Sequence, residues 1–156
     1  MLRVDLRELQ RGPVETVEEL APDDPVFAGL NLTLSGAVRV DGRLQETGAG
    51  EYFWRAELRG QVQVACRRCL RDVRLPLHTD VGILFTDDPD AADDPSVYPL
   101  APDALAIDLG EAVREELALS APTFVLCKDD CAGLCPRCGA DLNAGPCACA
   151  ASAEPL

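Results

Sequence analysis

Eight cysteines fall into four close pairs, and no other feature restricts the possible folds of this chain as much. Two residues separate Cys66 from Cys69 in "CRRC", and three separate Cys127 from Cys131. Two residues separate Cys135 from Cys138 in "CPRCG", and one separates Cys147 from Cys149 in "CAC". Two close pairs of thiolates are the usual donor set of a structural tetrahedral zinc site. The four pairs therefore make two complete tetrathiolate sets with none left over. The turn from Cys135 to Gly139 has the pattern of a zinc knuckle, in which both sulfurs lie on one side and backbone N–H groups point at them.

The spacing favours one partition. Cys135 and Cys138 are joined to Cys147 and Cys149 by only eight residues, "GADLNAGP", rich in turn formers. These four can close a small zinc-ribbon-like loop by themselves. That leaves Cys66 and Cys69, between two strand candidates, to join Cys127 and Cys131 and tie the tail back to the sheet. The competing partition places Cys127, Cys131, Cys135 and Cys138 around one ion. A structural zinc site supplies roughly 10–16 kcal/mol of apparent binding energy, enough to order a tail that has little apolar surface to bury.

Upstream of the tail the dominant signal has period two. Leu30, Leu32, Leu34, Val38 and Val40 share one parity, and the Asp41-Gly42 dipeptide predicts a hairpin turn after them. Trp54, Ala56, Leu58, Val62, Val64 and Cys66 form a second alternation, with Gly60 marking a bulge or a close approach. Val73, Leu75, Leu77, Val81, Ile83 and Phe85 form a third, in which Pro76 points to an edge or a bulge. Residues 30–86 thus read as an antiparallel meander with one buried face. Before it, Leu2, Val4 and Leu6 suggest a short strand, followed by a Pro- and acid-rich loop. After it, "DDPDAADDP" predicts a solvated loop over about 87–104. "AIDLGEAVREELALSAP" then predicts one amphipathic helix with Leu109, Val113 and Leu117 on one face and Pro122 as its stop. The expected fold is α+β: an antiparallel β-meander, open or partly closed, with one packed helix and a four-cysteine tail. The α+β domain is expected over 1–126, the zinc-binding tail over 127–149 and a flexible end over 150–156.

No segment reads as a secretory leader, and no apolar run approaches the roughly 20 residues that cross a bilayer. The expected location is cytoplasmic, where clustered thiols hold metal more often than they form disulfides. Enzymatic chemistry is not expected. His78 is the one histidine, which leaves a hydrolytic triad without its parts, and there is no Gly-rich phosphate loop. Sites filled by sulfur leave no open metal position for catalysis. The net charge of -13 excludes nucleic-acid binding through the overall field. One segment runs against it: from Arg55 to His78 six arginines face only Glu57 and Asp72. Arg67 and Arg68 lie between the first two cysteines, and with Arg71 and Arg74 they are the candidate local contact to RNA or to a protein partner.

In this order, "VACRRCLRDVRLPL", an acidic gap, "IDLGEAVREELALSAP" and "LCKDDCAGLCPRCGADLN" followed by "CAC" resemble the bacterial YceD family, the large ribosomal RNA subunit accumulation proteins. The resemblance covers about residues 30–149. It implies a cytosolic, non-enzymatic factor needed for large-subunit ribosomal RNA to accumulate, and hence for ribosome biogenesis. Carried over to this chain, the signature elements are Cys66 and Cys69 and the tail cysteines from Cys127 to Cys149. The expected cofactor is structural zinc, two ions. The expected partner is large-subunit ribosomal RNA or a ribosomal protein, with no membrane and no small-molecule substrate. The alternative is a redox-responsive zinc-thiolate protein with chaperone-like activity, since thiolates that lose metal can form disulfides.

Overall fold

The computed structural model describes residues 2–149, so the expected flexible end at 150–156 lies outside the described residues. Two sheets form the body. The smaller pairs β1 (Arg3–Asp5) with β8 (Ala106–Asp108), antiparallel. The larger is an open six-stranded sheet. Its path runs from β2 (Val14–Leu20) to β4 (Val38–Gly48), β5 (Glu51–Ala65), β6 (Asp72–Thr86) and β7 (Val97–Pro99), with β3 (Thr33–Leu34) paired to β5. A one-turn helix α1 (Leu6–Leu9) follows β1, and α2 (Gly110–Ser120) packs against β6.

The meander predicted over 30–86 is present as β4, β5 and β6, each antiparallel to the next. One parity of each strand is buried: Val38, Val40 and Leu44; Trp54, Ala56, Leu58 and Val62; Leu77, Val81, Ile83 and Phe85. Leu109, Val113 and Leu117 of the helix segment close the core from the other side and are fully buried. Burial of such side chains is worth about 1.5–3 kcal/mol each and is the main force holding helix to sheet. Gly60 is a close approach, since a Cβ there would lie 3.3 Å from Val38 Cγ2. Pro76 sits on an edge, because β6 pairs with β7 only at Leu84–Thr86 and its outer side is open at Pro76.

Three expectations are overturned. The Asp41-Gly42 turn does not form: β4 runs straight through it, and the hairpin turns at Ala49-Gly50, where Gly50 takes φ 71°. Gly42 is instead an inward position without room for a side chain. A Cβ there would lie 2.5 Å from Ala56 Cβ, 2.9 Å from Thr16 Oγ1 and 2.9 Å from Trp54 Nε1. The segment before residue 29 is not only loop, because Val14–Leu20 adds a strand to β4. Its inward residues include Thr16, and its large aliphatic Val17 faces solvent, so the alternation is masked. Thr16 is inward because its Oγ1 accepts the Trp54 Nε1–H at 2.9 Å, satisfying the one polar atom of a fully buried indole. Finally, the acidic loop contains Val97–Pro99, which pairs parallel to the end of β6.

Candidate metal centres

The connection between β5 and β6 is a knuckle, and the tail repeats it. In the first, Cys66 N–H donates to Arg71 O at 2.8 Å and Leu70 N–H to Cys66 O at 3.0 Å. In the second, Cys135 N–H donates to Ala140 O at 2.8 Å and Gly139 N–H to Cys135 O at 2.9 Å. The same two bonds at the same offsets make the same turn. Its closing residue must be left-handed: Gly139 has φ 73° and Leu70 has φ 60°. Glycine adopts that conformation freely, whereas an ordinary L residue there costs roughly 1–2 kcal/mol. Leu70 is nonetheless 65% exposed, so core burial does not offset its strain.

Tertiary folding brings the eight cysteines into two groups of four: Cys66, Cys69, Cys127 and Cys131, and Cys135, Cys138, Cys147 and Cys149. Within each group the sulfurs all lie within 4.8 Å of one another. The partition favoured by loop length is therefore the one the fold makes, and the grouping of Cys127 and Cys131 with Cys135 and Cys138 is not formed. None of the eight cysteines forms a disulfide. In the first group Cys66 Sγ lies 3.8 Å from Cys131 Sγ, and Cys69 Sγ lies 3.6 Å from Cys127 Sγ. A disulfide needs about 2.05 Å. A tetrahedron with metal–sulfur bonds of about 2.3 Å has edges of about 3.8 Å. The donor sets therefore fit a thiophilic metal ion.

The local electrostatics suit the same reading. Backbone N–H groups of Cys69, Cys127 and Arg68 aim at Cys66 and hold its thiol down at about 6 against burial. The N–H groups of Cys138 and Arg137 do the same for Cys135, also to about 6. Burial and the neighbouring sulfurs push Cys127 up to about 12, and Cys138 beside it pushes Cys149 up to about 12. Each cluster thus pairs a ready thiolate with a sulfur that keeps its proton. A dication removes that conflict by stabilising all four as thiolates.

The two centres differ in shelter. Cys66, Cys69 and Cys131 are buried in a small cluster of their own with Val73, Leu126 and Leu134, separate from the main core. In the second centre only Cys135 is buried and Cys138 is exposed. The tail is sewn to the first knuckle by backbone bonds from Arg67 N–H to Val125 O at 2.8 Å and from Leu134 N–H to Arg68 O at 3.2 Å.

Of the four arginines singled out as a contact, two are engaged within the protein. Arg68 Nη1 donates to Cys131 O at 3.0 Å, and Arg71 Nη2 donates to Asp141 Oδ2 at 3.2 Å. Arg67 and Arg74 are exposed, and among the described residues their side chains make no hydrogen bond or ion pair. Arg137, in the second knuckle, is exposed as well and was not singled out from the sequence, although it holds the place in "CPRC" that Arg68 holds in "CRRC". Phe124, 65% exposed and next to the residue that pairs with Arg67, is a further surface feature that strand and helix periodicity could not reveal. Arg55 and Arg59 do not extend the basic patch. They lie on the outer sheet face, where Arg43 stands opposite Arg55 and Arg39 opposite Arg59, with the row Asp41, Glu57 and Asp80 between them. Arg59 binds Glu57 through Nε and Nη2, both at 2.7 Å. His78 is a surface residue paired to the same Glu57. Glu57, His78 and Asp80 lie close together on the surface, with both Glu57 oxygens already hydrogen-bonded by Arg59.

An open, mostly antiparallel sheet with one main helix and two tetracysteine clusters defines a small knuckle-bearing domain of the α+β class. The family model "Large ribosomal RNA subunit accumulation protein YceD" matches residues 54–155, and the chain belongs to the YceD family. The family is described by accumulation of large-subunit ribosomal RNA. Similar proteins include uncharacterized proteins of Mycobacterium bovis (Mb2951c) and Mycobacterium tuberculosis (Rv2926c). Each is 33% identical over 84 residues, which cover 52% of this chain and 40% of the relative. The match thus spans less than half the length of these relatives. No solved structure matches the chain. No helix among the described residues is long and apolar enough to cross a membrane.

Proposed function

We propose that this protein is a non-enzymatic, cytoplasmic ribosome biogenesis factor that supports accumulation of large-subunit ribosomal RNA, with two structural zinc ions at its cysteine clusters. Its contact is local, to large-subunit RNA or a ribosomal protein, and is made by the tip of the first knuckle. The observation that carries this is Leu70: a strained, exposed leucine where the second knuckle has glycine, beside the unengaged Arg67. Strain of this kind persists where the surroundings enforce it and clusters at functional positions. Arginine, the residue type of the unengaged Arg67 in the same tip, is also one of those enriched in binding hot spots. The zinc ions hold that tip, since each centre consists of sulfur alone and leaves no ligand position for chemistry.

The test is co-sedimentation with large-subunit particles. Leu70→Gly, and Arg67→Ala combined with Arg74→Ala, are expected to lose association while emission of the single, buried Trp54 is unchanged. Arg68 is unsuitable as a probe, because it holds Cys131. Association retained in both variants would show that the knuckle tip is not the contact. The exposure of Cys138 favours a second reading, a redox-responsive zinc-thiolate protein with chaperone-like activity. Zinc content and dye binding that stay constant under mild peroxide remove it.

A further inference from the structure

We infer that the two tetracysteine centres bind metal cooperatively, coupled through the side chain of Asn143. The inference rests on the reading that both centres hold metal. Asn143 belongs to the second centre by sequence, lying in the eight-residue span between Cys138 and Cys147. In space it serves the first. Its Nδ2–H group donates to Cys131 Sγ at 3.4 Å, and its Oδ1 accepts from Ala132 N–H at 2.9 Å. That second bond sets the orientation of the amide, because only the oxygen can accept from a backbone N–H.

Asn143 is itself held by the loop. Asp141 Oδ1 accepts from Asn143 N–H at 2.9 Å and from Asn143 Nδ2 at 2.8 Å. The other oxygen of Asp141 takes Arg71, which directly follows the strained residue of the first knuckle. Leu142 N–H donates to Gly133 O at 2.9 Å, between the two centres. Metal at the second centre closes the loop that carries Asn143 and Asp141, and the loop in turn clamps Cys131 and Arg71. With the ends of that loop untied, ordering Asn143 against Cys131 costs conformational entropy that the clamp alone must offset. An N–H donor to a ligand sulfur stabilises the charge the metal requires, and loss of such an outer partner typically lowers metal affinity 10–100-fold. By linkage the effect is reciprocal: filling the first centre tightens the second by the same factor.

The experiment is an anaerobic titration of the metal-stripped full chain with Co2+, followed by thiolate-to-cobalt absorption. The parent is expected to take two equivalents with positive cooperativity. Cys147→Ala combined with Cys149→Ala removes the second centre and is expected to weaken the first by about 10–100-fold. Asn143→Leu keeps two equivalents but weakens the first centre by a similar factor and abolishes cooperativity. Joining Asn143→Leu to the double alanine variant produces no further loss, which identifies the shared route. Trp54 emission checks that the main core of each variant is folded. An unchanged first centre in the double alanine variant would overturn the coupling while two equivalents in the parent leave the metal reading intact. Additive losses in the triple variant would overturn the role of Asn143. A parent that takes up no cobalt overturns both.

Discussion

Gly42 lies on the inward side of β4, opposite Ala56, and its missing side chain is what lets the Trp54 indole reach Thr16. A methyl group there would collide at 2.5 Å with Ala56 Cβ, and neither strand can yield without breaking a ladder that continues on both sides. Gly42→Ala is therefore expected to destabilise by about 1–3 kcal/mol, the usual cost of overpacking. Urea unfolding followed by Trp54 fluorescence measures it, and an unchanged midpoint would show that the site has room. The same residue explains why the sequence misleads at this point. Asp-Gly is a turn signal because glycine is conformationally free, but here glycine is required for its size. Leu70 is the converse case. A left-handed residue after the second cysteine was legible at Gly139 by its type and hidden at Leu70, whose type argues against the conformation it adopts.

Among the elements, α2 carries its charges unevenly. Glu111 in the first turn suits the helix dipole, but the last turn holds no basic residue. Glu116 faces the cost directly: burial first, and then the charge of Glu115, raise its carboxyl above the usual 4.5. A raised acid favours the protonated form in the folded state. The corresponding stability is complete below the ordinary carboxylate range and is lost as pH rises through the raised value. At neutral pH the ionised Glu116 is thus a burden, and Glu116→Gln is expected to raise the melting temperature at pH 7, with the gain over the parent vanishing toward pH 4. Circular dichroism melts at both pH values decide this; no gain at pH 7 would mean solvent already screens the pair. The helix itself was legible, because Leu109, Val113 and Leu117 recur on one face. The strand Val14–Leu20 was not, because an inward threonine and an outward valine cancel the period-two signal.

On the scale of the whole molecule, the protein has two cores of different kinds. The main core is aliphatic and surrounds Trp54; the second is sulfur with Val73, Leu126 and Leu134 packed at its edge. So little apolar area does not by itself offset the entropy of ordering the tail, and metal held at the two clusters, as proposed above, would supply the difference. A chelator should therefore act on the tail and spare the sheet. The expected course is release of metal from the centre containing the exposed Cys138, followed by weakening of the sheltered one, with Trp54 emission constant. Simultaneous loss of metal and of the Trp54 signal would show that the two cores are one cooperative unit.

By itself the sequence determined what depends on near neighbours. Spacing of two between cysteines makes a knuckle, parity chooses the inward face of a strand, and eight turn-forming residues allow the second cluster to close locally. Only the tertiary structure decided what depends on distant partners. Cys66 meets Cys131 across 65 positions, and Cys69 meets Cys127 across 58. Arg68 and Arg71 are tied to a carbonyl and a carboxylate of the tail, which leaves Arg67 and Arg74 unengaged among the described residues. Spacing constrains a turn because the chain's own geometry limits which groups can meet within a few residues. Across tens of residues many meetings are sterically open, and packing of the sheet, the helix and the tail selects among them.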